Sequence, residues 1–457
     1  MDKVIQEVVP ILILCGVVVL VVRQLPRADV GHTDKFRMRR ALNWLPLGLT
    51  YALLYMGRYN LTQLLVLKLI SKQAFGDIDG IGALVYGVAF FFNGPLTDRL
   101  GGRFAILLGA AGAAVCNGLI GIMIYTGGVP STSMLTLLFG LNMYFQSFGA
   151  VAIVKVNSSW FHLRERGTFG GIFGILISLG IYLSLDWAPK IAELASLPWL
   201  FLAPAVLLAI FWVICVFWVR DQPSDAGFPD FDVADASSGQ SDAPEGAIVI
   251  LKRLLGSRVI MTLALVTLCT GFLSKAILKW YRTFAQGVDA THSFIYEHWG
   301  MVLCIAGITG GMIAGLVSDH IFKSRRPPVA TWLFVVMLVC AIAIVPLLAA
   351  PFAVNWVIAF MAIAVTGVNG MLAGVASQDF GGRRAAGTAT GLIDGFAYMG
   401  TAAQAFVYGR LLPSGPAAKD VDNWYSWPIA MIPVAVVGLA LAASVYNAQV
   451  KPRAAAH

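Results

Sequence analysis

Apolar runs long enough to cross ~30 Å of hydrocarbon at ~1.5 Å per residue recur along the whole chain, separated by short polar loops. They fall near residues 4–22, 41–67, 79–96, 104–126, 133–159, 168–187, 197–219, 257–281, 297–317, 328–350, 353–377, 387–411 and 425–447. The last twelve predict membrane-spanning helices. The first has an apolar core only from Val8 to Val22 and reads as a retained extra helix, the alternative being a cleaved secretion signal. Its start "MDKVIQE" mixes acid with base, and no small-x-small site precedes "RQLPRADVGH", which weighs against cleavage. Composition agrees with a polytopic, all-α membrane protein: 58% of residues are hydrophobic and 12% charged, against roughly 25% charged in soluble proteins.

Charge sets the predicted orientation. Arg23, Arg27, Lys35, Arg37, Arg39 and Arg40 crowd the first loop, and every second loop afterwards is basic: Arg99 and Arg103, Arg164 and Arg166, Arg220 with Lys252 and Arg253, Lys323 to Arg326, Arg383 and Arg384. By the bias of Lys and Arg towards cytoplasmic loops, these face the cytoplasm of a cell (inner) membrane, the N-terminus lies outside and the C-terminus inside. The net charge of +8 is then topological and carries no implication of nucleic-acid binding. All six cysteines fall within spans without paired spacing, so neither a metal site nor a disulfide framework is indicated. No nucleotide-binding loop, paired catalytic carboxylates or cofactor motif stands in the chain, which points away from an enzyme.

An internal repeat sets the predicted architecture. "GPLTDRLGGR" (94–103) reappears as "GLVSDHIFKSRR" (315–326), and "RERGTFGGIFGILISLG" (164–180) as "RRAAGTATGLIDGFAYMG" (383–400). Asp98 and Asp319 are 221 residues apart, Gly167 and Gly387 220; one shared register implies duplicated bundles of the kind transporters use. The predicted division is an extra helix with a basic loop (1–40), a six-helix bundle (41–219), a polar linker (220–250) and a second six-helix bundle with the tail (251–457). The repeated Gly-x-x-x-Asp segments read as a gate: glycine permits close helix approach, and the acid and neighbouring bases can hold one state closed. The candidate gate residues are Asp98, Arg99, Arg103, Lys155, Arg164, Arg166, Asp319, Arg383 and Arg384. A tight basic loop obeying the orientation bias is the plainer alternative.

Several charges sit inside spans. Arg58, in "ALLYMGRYNL", follows Tyr51 and Tyr55 on one helical face. An isolated Arg at mid-bilayer costs at least ~2.5–3.5 kcal/mol, so it must snorkel to an interface or face a wet cavity. In a cavity its fork suits bidentate contact with phosphate or carboxylate. The seventh span supplies Lys275, Lys279 and Arg282 on one face. Lys275 and Lys279 are the candidate partners of Arg58 for an anion, and Arg282 is expected at the interface. Asp394 lies among glycines in the eleventh span; a buried carboxylate needs a cation or a proton. It is read as an ion pair with Lys275 or Lys279, or as a proton site that couples transport.

On "YALLYMGRYN", "YFQSFG…WFHLRERG", "RDQPSDAGFP" and "RRAAGTATGLIDGFAYMG", residues 38–450 resemble the major facilitator superfamily, and within it the organophosphate:phosphate antiporter branch. The resemblance implies that Arg58 binds a substrate phosphate with Tyr51 and Tyr55 beside it, and that Tyr86 and Tyr398 are pocket tyrosines. It also exposes departures. The family's second phosphate-binding Arg falls at Ser274, a pocket lysine at Phe90, a histidine at Ile177, and an Arg of the fourth span at Lys155. Such a pocket should prefer a different, more apolar anion, with Phe90, Phe91, Phe92 and Phe173 as candidate lining. The leading expectation is a monomeric secondary transporter of a small organic anion, an organophosphate or phosphonate, by phosphate antiport or proton symport. An anion sensor of the same fold, signalling to a partner without net transport, is the alternative.

Overall fold

The structure, a computed structural model, describes residues 33–162, 174–230, 247–322, 326–372 and 377–447. The extra helix at 4–22 lies outside the described residues, as do Arg164, Arg166 and Phe173. Among those described there is no strand, and twelve long helices dominate. The first six are α1 (Asp34–Val66), α2 (Lys72–Leu100), α3 (Gly102–Gly127), α4 (Thr132–Trp160), α5 (Gly174–Leu194) and α6 (Trp199–Trp218). The second six are α7 (Arg258–Gly287), α8 (Trp299–Leu316), α9 (Arg326–Leu347), α10 (Pro351–Asn369), α11 (Ser377–Leu411) and α12 (Ser426–Ser444). Ten of the twelve are long and apolar enough to cross a membrane; α1 and α11 are longer still but interspersed with polar residues.

Several helices outrun their apolar runs because capping, not hydropathy, ends them. Thr33 accepts the Phe36 N–H, which starts α1 seven residues before the predicted Ala41. Ser71 does the same for Ala74 and starts α2 well before residue 79. In α7 the helix breaks at Lys279 and Trp280 and resumes at Tyr281. A π-helical turn, Leu183–Trp187, interrupts α5, the kind of irregularity often found at functional positions.

Within the first six helices α3 packs on α4 and α6, and α1 on α6; within the second, α8 packs on α10, and α9 on α10 and α12. The main seam between the two sets runs along α2 and α11. Glycine makes it possible. A methyl group at Gly76, Gly87 or Gly94 of α2, or at Gly391 of α11, would come within 2.9 Å of the opposite backbone, so the axes approach as only small residues allow. The outward surface is apolar, with Ile122, Phe217, Trp332 and Trp356 all exposed, as lipid contact requires. Phe92 belongs to it: at 70% exposure it faces outward and does not line a pocket.

Candidate substrate-binding site

Arg58 lies in α1 about 12 Å, by helical rise, from the end opposite the basic loops, and only 4% of its surface is exposed. It does not snorkel. Its Nε donates to Gln146 Oε1 at 2.9 Å and its Nη2 to the Tyr86 hydroxyl at 3.0 Å, while Nη1 donates to the Tyr398 hydroxyl. Tyr86 comes from α2 and Tyr398 from α11, so one guanidinium is held from both helix sets. Its carbon stands 4.4 Å from the Tyr55 ring centroid and 4.5 Å from that of Tyr86, a cation–π setting that favours the charged group away from water. Tyr51 packs edge-on against Tyr55 at 5.1 Å, and Phe90 edge-on against Tyr86 at 4.6 Å.

Gln146 is itself fixed. Its amide donates to Asn142 Oδ1 at 2.9 Å, Asn142 donates to the Gly57 carbonyl at 3.2 Å, and Asn117 links Asn142 to Asn60. This amide chain orients the acceptor for Arg58 Nε. Three of the five guanidinium N–H groups are thereby engaged.

The lysines of α7 divide. Lys275 donates to the Tyr59 hydroxyl at 2.5 Å and keeps accessible surface. Lys279 does not face the site as a free cation: it is buried and bonds both oxygens of Asp79, at 2.5 and 2.6 Å. Asp79, near the start of α2, takes the place expected of Asp394. Asp394 pairs with neither lysine, and among the described residues no basic nitrogen lies within 4.0 Å of its carboxylate. Arg282 is not at the lipid interface either; it donates to the carbonyls of Leu185 and Tyr296 and stands 3.9 Å from Asp186.

Asp394 faces inward by the geometry of its helix. Around α11 the α2 contacts are made by Gly387, Gly391 and Gly395, and the α7 contacts by Ala397 and Gly400. Asp394 falls between these two faces, one turn from Tyr398 at the edge of the α2 face, and the bond from Arg58 to Tyr398 marks that side as interior. Asp394, Tyr398, Tyr55 and Lys275 all retain some accessible surface.

At each end of the helix sets a carboxylate crosses from one set to the other. At the basic-loop end, Asp98 of α2 accepts from the Gly387 N–H at 3.2 Å and from the Thr388 N–H and hydroxyl at 2.9 and 2.8 Å, with Lys155 at 3.1 Å. At the far end, Asp186 of α5 accepts from Gly300 and Met301, each at 2.9 Å, in the first turn of α8 where N–H groups lack helical partners. The other expected gate residues behave differently. Arg99 is exposed. Arg103 joins α3 to the end of α6, through its N–H to Asp221 Oδ1 at 2.8 Å and its Nη2 to the Val216 carbonyl at 2.7 Å, so its bonds lie within one helix set. Burial pushes the Asp221 carboxyl upward from its usual range, against the pull of the Arg103 and Gly102 N–H groups. The side chains of Asp319, Arg383 and Arg384 lie outside the described residues.

Sequence reasoning missed Asp79, Gln146, Asp186 and Tyr59. Tyr59 continues the i, i+4 spacing of Tyr51 and Tyr55, and Gln146 follows Asn142 by four. Both signals were in the chain. Asp186 is the only acid between Leu176 and Pro189, but nothing in its neighbourhood names a partner 114 residues away.

Twelve long helices in two sets, joined through a buried guanidinium bonded from both, define the class of fold. The chain belongs to the Major Facilitator Superfamily, whose family model matches residues 47–405. It is 26% identical over 409 residues to the glycerol-3-phosphate transporter of Bacillus subtilis (strain 168), covering 82% of this chain and 85% of that protein. It is also 26% identical over 416 residues to the membrane sensor protein UhpC of Salmonella typhimurium, covering 86% and 87%. The probable hexose phosphate transport protein of Chlamydia pneumoniae is 24% identical over 400 residues, covering 83% and 84%. Among solved structures, a bacterial homolog of the human lysosomal transporter Spinster, inward-facing and unoccupied, gives a TM-score of 0.66 at 14% identity, covering 92% of this chain and 99% of that one; at that identity the likeness is one of fold.

Proposed function

We propose that this protein is a secondary transporter of a small organic anion, an organophosphate or phosphonate, working by alternating access as a monomer in the cell membrane. The observation that carries the reading is Arg58: a permanent cation held by tyrosines from both helix sets. A ligand can change a conformational equilibrium only through different affinities for the two states. A phosphoryl group that takes over the donors now aimed at Tyr86 and Tyr398 removes a bond between α1 and α11, and so acts on the relation of the two sets directly. Lys275 and the tyrosines Tyr51, Tyr55, Tyr86 and Tyr398 complete the binding site. Lys279 serves it indirectly, by fixing Asp79.

Asp98 with Lys155 closes the basic, cytoplasmic end, and Asp186 with Arg282 the outer end; transport requires that they open in turn. The counter-ion is inorganic phosphate in exchange, or a proton taken up at Asp394. The relatives named as transporters support this reading, and the likeness to a membrane sensor protein supports a second, in which the anion is bound and reported without flux. Counterflow in proteoliposomes decides: phosphate-loaded vesicles should accumulate labelled glycerol 3-phosphate or phosphate saturably, and Arg58→Lys should abolish it. Binding without flux at any gradient favours the sensor; neither binding nor flux of any phosphoryl compound overturns both.

A further inference from the structure

The site is built from more than an anion clamp. Lys279 is neutralised by Asp79, which leaves two cations at the site, Arg58 and Lys275, and one carboxylate, Asp394. That carboxylate has neither an ion pair nor a side-chain hydrogen bond among the described residues, although it keeps accessible surface on the inward arc of α11. It sits one turn, ~6 Å along the axis, from Tyr398, whose hydroxyl meets Arg58.

Filled by a plain phosphoryl dianion, this site holds an excess negative charge unless Asp394 takes a proton. Filled by a dianion that carries an ammonium on a short spacer, it is neutral. Burying an uncompensated charge is costly, so the second ligand fits the charge pattern without a proton.

Resting on the anion reading of Arg58, we infer that the preferred substrate is zwitterionic: an aminoalkyl phosphate or phosphonate whose phosphoryl group meets Arg58 and Lys275 and whose ammonium meets Asp394. Ethyl phosphate and 2-aminoethyl phosphate differ only in that ammonium and make the test. Both are titrated against the purified full chain, with thermal stabilisation as the readout. The amino compound should bind about tenfold or more tightly, as a charge-assisted contact warrants. Asp394→Asn should bring the ratio of the two affinities towards about one, and Asp394→Glu should restore part of it. Equal affinities in the native protein, or a preference that survives Asp394→Asn in a protein that still melts cooperatively, overturn the inference while leaving the anion site standing. If neither compound binds, the inference falls together with the phosphoryl reading.

Discussion

Replacing Lys279 with methionine should destabilise the protein by about 3–5 kcal/mol, the cost of breaking a buried ion pair from one side. The magnitude follows from burial. The two side chains are 7% and 4% exposed and the ammonium bonds both carboxylate oxygens, at 2.5 and 2.6 Å; an exposed pair of the same geometry would contribute about 0–1 kcal/mol. Methionine keeps the volume of the stem and removes the charge, so Asp79 alone is left uncompensated. Asp79→Asn reverses the roles and should cost a similar amount. The double variant leaves no buried charge and should recover most of the loss, giving a coupling energy well above the ~0.3–0.5 kcal/mol expected of independent sites. Denaturant unfolding of the purified protein in detergent, followed by tryptophan fluorescence, measures all four corners of the cycle. A Lys279→Met loss below about 1 kcal/mol, or a double variant that loses the sum of the singles, would refute the claim that α2 and α7 are joined by a desolvated pair.

Arg58→Lys should weaken inorganic phosphate binding about tenfold or more despite the preserved charge, because an ammonium cannot reproduce a fork held by Gln146, Tyr86 and Tyr398; unchanged affinity in a thermal-shift titration removes Arg58 from the site. Asp98→Ala should accelerate hydrogen exchange at Gly387 and Thr388, whose N–H groups it now accepts, and leave Gly300 and Met301 unaffected; equal protection in the variant shows that no closure depends on that carboxylate. Gly400→Ala places a methyl group against the Leu268 carbonyl and should cost about 1–3 kcal/mol as overpacking does; native stability there means α7 and α11 can separate freely.

The places of the spans within the described residues were legible because bilayer thickness fixes a length that any apolar run must meet. Their ends were less so. A serine or threonine cap and a few polar residues extended α1 and α2 beyond what hydropathy marks, since a helix end needs only its N–H groups satisfied. In the site, the periodic residues were legible: Tyr51, Tyr55 and Arg58 share a face and meet as that face predicts. What the chain could not show was pairing across the seam. Lys279 at i+4 from Lys275 looked equivalent to it, yet a helix break after Leu278 turns it to Asp79, 200 residues away. Asp394 was read as pairing with Lys275 or Lys279, or as a proton site; Lys279 bonds Asp79 and Lys275 donates to Tyr59. Periodicity assigns a residue to a face; it does not say which of two acids reaches a lysine on another helix.

One helix carries the argument from site to closures. Along α11 stand Thr388, bonded to Asp98 at the basic end, then Asp394 and Tyr398 at the site, and Arg410, paired at 2.7 Å with Asp77 of α2 at the far end. Between them α11 packs closely on α2 over glycines, with Phe406 seated against Gly80, Phe91 against Gly395 and Tyr86 against Tyr398, so the seam is fixed by packing as well as by these polar contacts. A rigid rod held at both ends and touched in the middle cannot open at one end without leaning on the other. Both carboxylates, Asp98 and Asp186, are engaged at once, so the two helix sets are bonded to each other at both ends. A ligand that displaces Tyr398 from Arg58 would break a bond that joins α1 to α11 midway between those end contacts, so binding there would act on the relation of the two helix sets.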